Sequence, residues 1–162
     1  MHNCKIFNPF VLERNYLGKR NLCDVTNMQL HGYADSSGKA YACVIYLRTL
    51  FDNGEVLTTF IASKSRVAPI KKITIPRLEL MGVVIGCRMI KFVSDQLKIN
   101  LEKSILFTDS KYVVEWTKTK KSLRRFTGDR VKEIVESGTQ VSYVKAEDNP
   151  ADVGQEGQQL IN

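Results

Sequence analysis

Residues 28–63, MQLHGYADSSGKAYACVIYLRTLFDNGEVLTTFIAS, contain three runs of strand length broken by two turns. MQLHGYAD (28–35), AYACVIYLR (40–48) and EVLTTFIAS (55–63) are rich in β-branched and aromatic residues, which suit a pleated, half-buried surface. Ser36-Ser37-Gly38-Lys39 separates the first pair and Phe51-Asp52-Asn53-Gly54 the second. Both separators are turn material, and Asn-Gly is a strong hairpin signal. Three consecutive antiparallel strands follow.

The period changes downstream. TIPRLELMGVVIGCRMIKFVSDQL (74–97) carries Pro76 where a first helical turn accepts it, and Leu78, Met81, Ile85, Met89 and Phe92 recur at helical spacing. SILF (104–107) reads as a short strand, DSKYVVEWTKTK (109–120) and RRFTGDRVKEIVE (124–136) as helices, and QVSYVKA (140–146) as a last strand. NPADVGQEGQQLIN (149–162) reads as a helix start that soon runs out. The order βββ-α-β-α-α-β-α predicts an α/β domain: strands joined through helices run parallel, so the sheet is mixed and helices cover it. Residues 1–27 show no clean period and read as an arm or linker from an upstream region, which leaves 28–162 as the domain.

The chain of 162 residues is long enough to bury one ordinary core. Its longest apolar stretches fall far short of the roughly 20 residues that span a bilayer, so no membrane is expected. The first residues lack the compact apolar core of a secretory signal. Four scattered cysteines (Cys4, Cys23, Cys43, Cys87) form no C-x-x-C pair and have only His2 and His31 to help them, which argues against zinc and against a disulfide scaffold. Cys43 and Cys87 sit in apolar patterns and read as small core residues. The expectation is an intracellular protein, cytoplasmic or nuclear.

The net charge of +7 is concentrated in two places. Residues 111–132 carry eight Lys or Arg against Glu115 and Asp129, and residues 64–77 carry five basic residues and no acid. From residue 133 onward the balance reverses, with one Lys against six acids. Most such runs are solvated faces, but clustered basic charge is also the footprint of a polyanion partner.

Four carboxylates fall at element ends. Asp35 ends the first strand, Glu79 lies in the first turn of the long helix, Asp109 follows the fourth strand, and Asp152 stands in the first turn of the closing segment. Each has an ordinary structural role available: Asp35 as a turn opener, Asp109 as the N-cap of the helix after it, Asp152 and Glu79 as acids at helix starts. Together they say more. If the first and fourth strands are parallel neighbours, Asp35 and Asp109 emerge side by side where open α/β sheets bind ligands. Gly82 and Gly86 follow Glu79 on one helix face, and each costs about 1 kcal/mol relative to Ala. Such a pair predicts a helix pressed close to the sheet, with Glu79 near the strand tips. Clustered carboxylates need cations, and an oxygen-only ligand set selects Mg²⁺ or Mn²⁺. Two such ions about 4 Å apart can activate a water and stabilise a leaving oxygen in phosphodiester cleavage.

At these residues the sequence resembles the ribonuclease H domain of retroelement reverse transcriptases, most closely those of BEL/Pao long-terminal-repeat retrotransposons. The matching stretches are LHGYADSSGKAYACVIYLR (30–48), ASKSRVAPIKKITIPRLELMGVVIGCRMI (62–90), LFTDSKYVVEW (106–116) and EDNPAD (147–152), in the family's order. The resemblance implies a ribonuclease H-like, five-stranded mixed sheet in the order 3-2-1-4-5, flanked by helices, and a two-metal site. Carried over motif by motif, that site is Asp35 in ADSS, Glu79 in RLEL, Asp109 in TDS and Asp152 in NPAD. It implies that two ions (Mg²⁺ or Mn²⁺) are held jointly by Asp35 and Asp109, with Glu79 on the leaving side and Asp152 on the attacking-water side. The implied substrate is the RNA strand of an RNA–DNA hybrid, cut to leave a 3′-hydroxyl and a 5′-phosphate, and an implied partner is a reverse transcriptase domain of the same parent polyprotein. Lys111, Lys118, Lys120, Lys121, Arg124 and Arg125 are the expected phosphate contacts, while Trp116 and Tyr112 are expected to pack in the core or against sugars.

Two departures accompany the match. Relatives usually carry a His before the last Asp, where this chain has Tyr143, and the family's serine–arginine–glycine ending gives way to Gly154-Gln155-Glu156-Gly157, with a shortened final helix. They motivate the alternative reading, a catalytically weak or inactive nucleic-acid-binding module. An integrase-type nuclease is excluded by order, because that class runs Asp, Asp, Glu and here the Glu is second.

Overall fold

The computed structural model describes residues 16–17, 22–71, 73–100 and 104–152. Strands β1 (Val25–Ser36), β2 (Ala40–Phe51) and β3 (Val56–Val67) form the expected antiparallel meander. The turn chemistry that the sequence offered is used. The Ser37 hydroxyl accepts from the Lys39 and Ala40 amides in the first turn. In the second, Asn53 Oδ1 accepts from the Glu55 amide at 2.9 Å, and Gly54 takes a positive φ of 82° that a side chain would resist.

Helix α1 (Ile75–Leu97) crosses to strand β4 (Ile105–Thr108), which pairs with β1 in parallel. Helices α2 (Lys111–Lys118) and α3 (Arg125–Glu136) lead to β5 (Gln140–Tyr143), parallel to β4. The sheet order is β3-β2-β1-β4-β5, as the resemblance implied. A 3-10 turn at Ala146–Asp148 precedes Asp152. Of the closing helix expected over residues 149–162, only 149–152 are described, and they form a turn rather than a helical start; the rest of it, and most of the arm expected over residues 1–27, lie outside the described residues. Strand β1 begins at Val25, three residues before the expected domain start.

Strand β3 runs four residues further than its apolar pattern, through Lys64 and Arg66 of the basic stretch 64–77. The reason is its position. As an edge strand it pairs on one side only, and charged side chains on such an edge oppose pairing with other chains. Helix α1 departs from expectation in its buried stripe. Gly82, Val83, Gly86, Ile90 and Val93 are buried, whereas Phe92 is 65% exposed. Leu78 and Ile85 are buried as expected, Met81 and Met89 lie at the margin of the contact and only Phe92 falls outside it, because the two glycines, rather than the largest side chains, mark the line of closest approach.

The core lies between the sheet and α1 with α3. Leu30, Ile45, Leu78, Leu80, Ile90, Leu106 and Ile134 are all fully buried. Cys43 and Cys87 are buried in the same cluster, and burial pushes their thiols up to about 12 and about 11. They are inert core residues at neutral pH, as expected. Arg88 on α1 and Glu133 on α3 form a two-point ion pair at 2.6 and 2.9 Å, which lowers the Glu133 carboxyl and raises the Arg88 guanidinium. Both are exposed enough that water screens most of its worth. No helix among the described residues is long and apolar enough to cross a membrane.

Candidate active site

The parallel register between β1 and β4 ends on the pair Ala34–Thr108. The next residue of each strand is a carboxylate, Asp35 and Asp109, so the two acids leave the sheet at adjacent tips. Asp35 is 8% exposed. Helix α1 lies directly over it. A Cβ on Gly82 would sit 3.1 Å from the Asp35 carbonyl oxygen, 3.5 Å from that of Ala42 and 3.7 Å from the Ala34 Cβ. One turn later, a Cβ on Gly86 would stand 2.8 Å from a Leu106 methyl. The glycines therefore do what their spacing predicted, and they carry Glu79, one turn before Gly82, to the strand tips.

Asp109 is the electrostatic centre of the group. Burial raises its carboxyl above the usual range, the negative charges of Glu79 and Asp152 raise it further, and its own backbone N–H partly offsets them. Glu79 and Asp152 thus both lie near enough to act on Asp109, although 73 residues of chain separate the two. Asp109 does not cap α2, one of the structural roles its position offered. The cap is Ser110, whose hydroxyl accepts from the Val113 amide at 3.4 Å. One residue's difference frees Asp109 from capping, and among the described residues its buried Oδ1 has no hydrogen-bond partner.

Asp152 reaches the site through Asn149, whose longer-range role the sequence did not disclose. Asn149 is 5% exposed. Its Nδ2 donates to the Ala34 carbonyl at 3.1 Å, and its Oδ1 accepts from the Ala151 amide at 3.1 Å. The same side chain that begins the closing segment therefore ties it to β1, one residue before Asp35. The available signal was the Asn-Pro pair, which reads equally well as a plain helix start. Removing a buried, doubly bonded amide costs about 1–3 kcal/mol. Asn149→Ala is thus expected to lower the thermal midpoint by several degrees. An unchanged midpoint in calorimetry would show that other contacts hold the segment.

The donor set fits a hard divalent cation. All four groups are carboxylates, and one buried carboxylate oxygen has no hydrogen-bond partner among the described residues. Among the described residues no three His, Cys, Asp or Glu side chains already converge on one point as a ligand cage.

The basic residues follow Asp109 along α2 and into the start of α3. Lys111 and Lys118 bound α2, Lys120 and Lys121 follow it, Arg124 is the N-cap residue of α3 and Arg125 its first residue. All six are exposed, and none forms an ion pair among the described residues. The second basic stretch divides: Lys64 and Arg66 belong to the β3 edge, while Arg77 enters α1 two residues before Glu79. An open cleft of about 770 Å³ joins the two regions, lined by Arg77, Tyr112, Trp116, Leu123, Arg124 and Thr127. Trp116 packs against the core, as expected, but Tyr112 is 62% exposed and stands free of it. Sequence reasoning also missed the stack in which Arg77 and Arg130 lie 5.1 and 3.6 Å from the Phe126 ring, which fastens α3 to the start of α1.

Comparison with protein families gives a match over residues 3–110 to a family described as "Pao retrotransposon-like RNaseH-like domain". Comparison with curated protein sequences gives no match. Among solved structures, the chain is similar to RNase H1 of the halophilic archaeon Halobacterium salinarum NRC-1. The identity is 12%, with 76% of this chain and 90% of that chain covered at a TM-score of 0.50. It is also similar to LC11-RNase H1 crystallised with an RNA/DNA hybrid (11% identity, 76% and 89% covered, TM-score 0.49) and to the RNase H domain of prototype foamy virus (16%, 82% and 87%, 0.43).

Proposed function

Because the chain belongs to the Pao retrotransposon-like RNaseH-like domain family, we propose that it is a divalent-metal-dependent endonuclease that cuts the RNA strand of RNA–DNA hybrids. The observation that carries this reading is the placement of Asp109. Its buried oxygen lacks a hydrogen-bond partner among the described residues, Glu79 and Asp152 act on it, and Asp35 leaves the neighbouring strand beside it.

Asp35 and Asp109 would hold both ions, with Glu79 on the leaving side and Asp152 on the side of the attacking water. Bound Mg²⁺ or Mn²⁺ supplies a water activated at neutral pH and charge stabilisation at the leaving oxygen. The chain's own contribution is positional. The glycine face of α1 sets Gly82 against the Asp35 backbone one turn from Glu79, Asn149 ties Asp152's segment to β1, and Ser110 keeps Asp109 free of capping duty. The exposed cations on α2, α3 and the loop between them take the backbone phosphates. The partners that suit this chemistry are the hybrid itself and a reverse transcriptase domain of the same parent polyprotein, working inside the cell in the cytoplasm or nucleus.

The direct test incubates purified protein with a hybrid labelled on the RNA strand. Nicks bearing 3′-hydroxyl and 5′-phosphate ends are expected with Mg²⁺ or Mn²⁺ and none with chelator. A folded protein that binds hybrid and cuts it with neither metal would be a binding module instead, the reading that Tyr143 and the altered sequence after NPAD favour. The basic stretch makes a separate prediction. Each phosphate contact contributes close to one unit of slope in log affinity against log salt, so Arg124→Ala with Arg125→Ala should flatten it by up to about 2. An unchanged slope would leave both arginines as a solvated face.

A further inference from the structure

The end of β5 places an exposed aromatic ring beside the carboxylates for which core packing gives no account. Tyr143 is the register partner of Thr108, the residue before Asp109. The Val144 amide donates to the Thr108 carbonyl at 3.0 Å and fixes that placement. Lys111, two residues after Asp109, begins α2, whose start the Ser110 cap holds. From there its ammonium lies 5.3 Å from the centre of the Tyr143 ring. Tyr143 is 44% exposed and Lys111 is exposed.

Among the described residues, neither side chain forms a hydrogen bond or an ion pair. The contrast with Lys145 is informative. That residue, two beyond Tyr143, has its charge answered by Glu147 at 3.4 Å. Lys111 stands closer in sequence to an acidic site, yet among the described residues its one partner is a ring face, and a cation over an exposed ring is a weak structural contact. At their polar ends the pair offers an ammonium, which only donates, and a phenolic hydroxyl, which can donate as well as accept. A ligand that satisfies both is anionic and rich in acceptors, which a backbone phosphate is.

We propose that Lys111 and Tyr143 form a phosphate clamp at the β5 side of the site, holding the nucleic-acid backbone phosphate next to the scissile one. Lys111 supplies the charge and Tyr143 a directional hydrogen bond, while the ring beneath Lys111 limits the arc its ammonium can sweep. Both are positioning residues. The clamp rests on the proposed nuclease reading, but its binding function can be measured without catalysis.

The experiment compares wild type, Tyr143→Phe, Lys111→Gln, Lys111→Arg and the double variant Tyr143→Phe/Lys111→Gln, in cleavage of one defined hybrid and in hybrid binding with chelator present. A contact made equally in ground and transition states raises KM and leaves kcat alone. Tyr143→Phe is therefore expected to raise KM and the chelator-condition Kd about 5-fold, with kcat and the salt slope unchanged. Lys111→Gln should raise both further and flatten the salt slope by about 1. Lys111→Arg should restore most of the loss, and the double variant should fall short of the product of the single effects. If Tyr143→Phe leaves Kd and KM at wild-type values, the clamp is wrong. If it lowers kcat at constant KM, the phenol acts in proton transfer and the clamp is again wrong. A wild type that binds hybrid without cutting it overturns the nuclease reading alone, because the ranking of Kd values still decides the clamp.

Discussion

Asp109→Asn is expected to abolish hybrid cleavage while leaving the metal-free protein no less stable than wild type. The loss follows from the donor set. Asn keeps the size of the side chain but removes the charge that holds a cation, and metal assistance is worth several kcal/mol, so the rate should fall by at least about 10³-fold. The stability effect runs the other way. The folded state holds the Asp109 proton more tightly than the unfolded chain does, because burial and the charges of Glu79 and Asp152 raise its carboxyl. For a carboxyl shifted upward, stability is fullest below the unfolded value and is lost as pH rises through the raised folded value. At neutral pH the charged group is therefore a cost to the metal-free fold, which the neutral amide does not incur. Thermal melts of the two proteins should show the variant equal or higher at neutral pH, with the difference closing towards acid. Added Mg²⁺ or Mn²⁺ should raise the wild-type midpoint more than the variant's, as linkage requires of a ligand that binds only the folded state. Cleavage by the variant within tenfold of wild type would remove Asp109 from the metal site. A variant that melts well below wild type at neutral pH without metal would give its carboxylate a structural role instead.

What the sequence disclosed and what it withheld divide along physical lines. The meander was legible because Asn53-Gly54 and the serine turn fix local geometry, and the β1–β4 neighbourhood was implied once the family resemblance supplied the strand order. That Glu79 and Asp152 come near enough to act on Asp109 could be inferred because each acid lies at the end of an element, where topology alone sets its place. The exact cap of α2 was not legible. Asp109 and Ser110 are both good N-cap residues, and only the way β4 ends decides between them. The reach of β3 through Lys64 and Arg66 was also hidden, since an edge strand shows no apolar alternation to read. Long-range polar contacts were the least visible. The Asn149 bond to Ala34 spans 115 residues, and the Lys111–Tyr143 pair joins two elements that share no local pattern. Each of these depends on how tightly the helices close on the sheet, and that closeness was announced only by two glycines.

Gly82 tests that closeness, because its wall is backbone rather than a side chain that can swing away. Gly128 in α3 is the control. A Cβ there would meet the Leu123 carbonyl oxygen at 3.5 Å, an ordinary contact, so Gly128→Ala should stabilise the fold by up to about 1 kcal/mol through helix propensity alone. At Gly82 the same Cβ would lie 3.1 Å from the Asp35 carbonyl oxygen. Strand β1 is the middle strand of the sheet, hydrogen-bonded to β2 on one side and β4 on the other, so it has little room to retreat. Gly82→Ala should therefore gain less than Gly128→Ala, the propensity being offset by the squeeze. Gly82→Val adds two methyl groups beyond that Cβ and overpacks the contact, at a cost of about 1–3 kcal/mol. The helix must then lift, and it carries Glu79 with it, one turn away. A displacement of about 1 Å in a catalytic group can cost about 10²-fold in rate. Gly82→Val is thus expected to fold with a reduced midpoint and to cut hybrid at least about 10²-fold more slowly, while hybrid binding, which the proposal assigns to the basic side chains of α2 and α3, stays near wild type. Wild-type cleavage by a folded Gly82→Val protein would mean that the α1–β1 distance does not set the site.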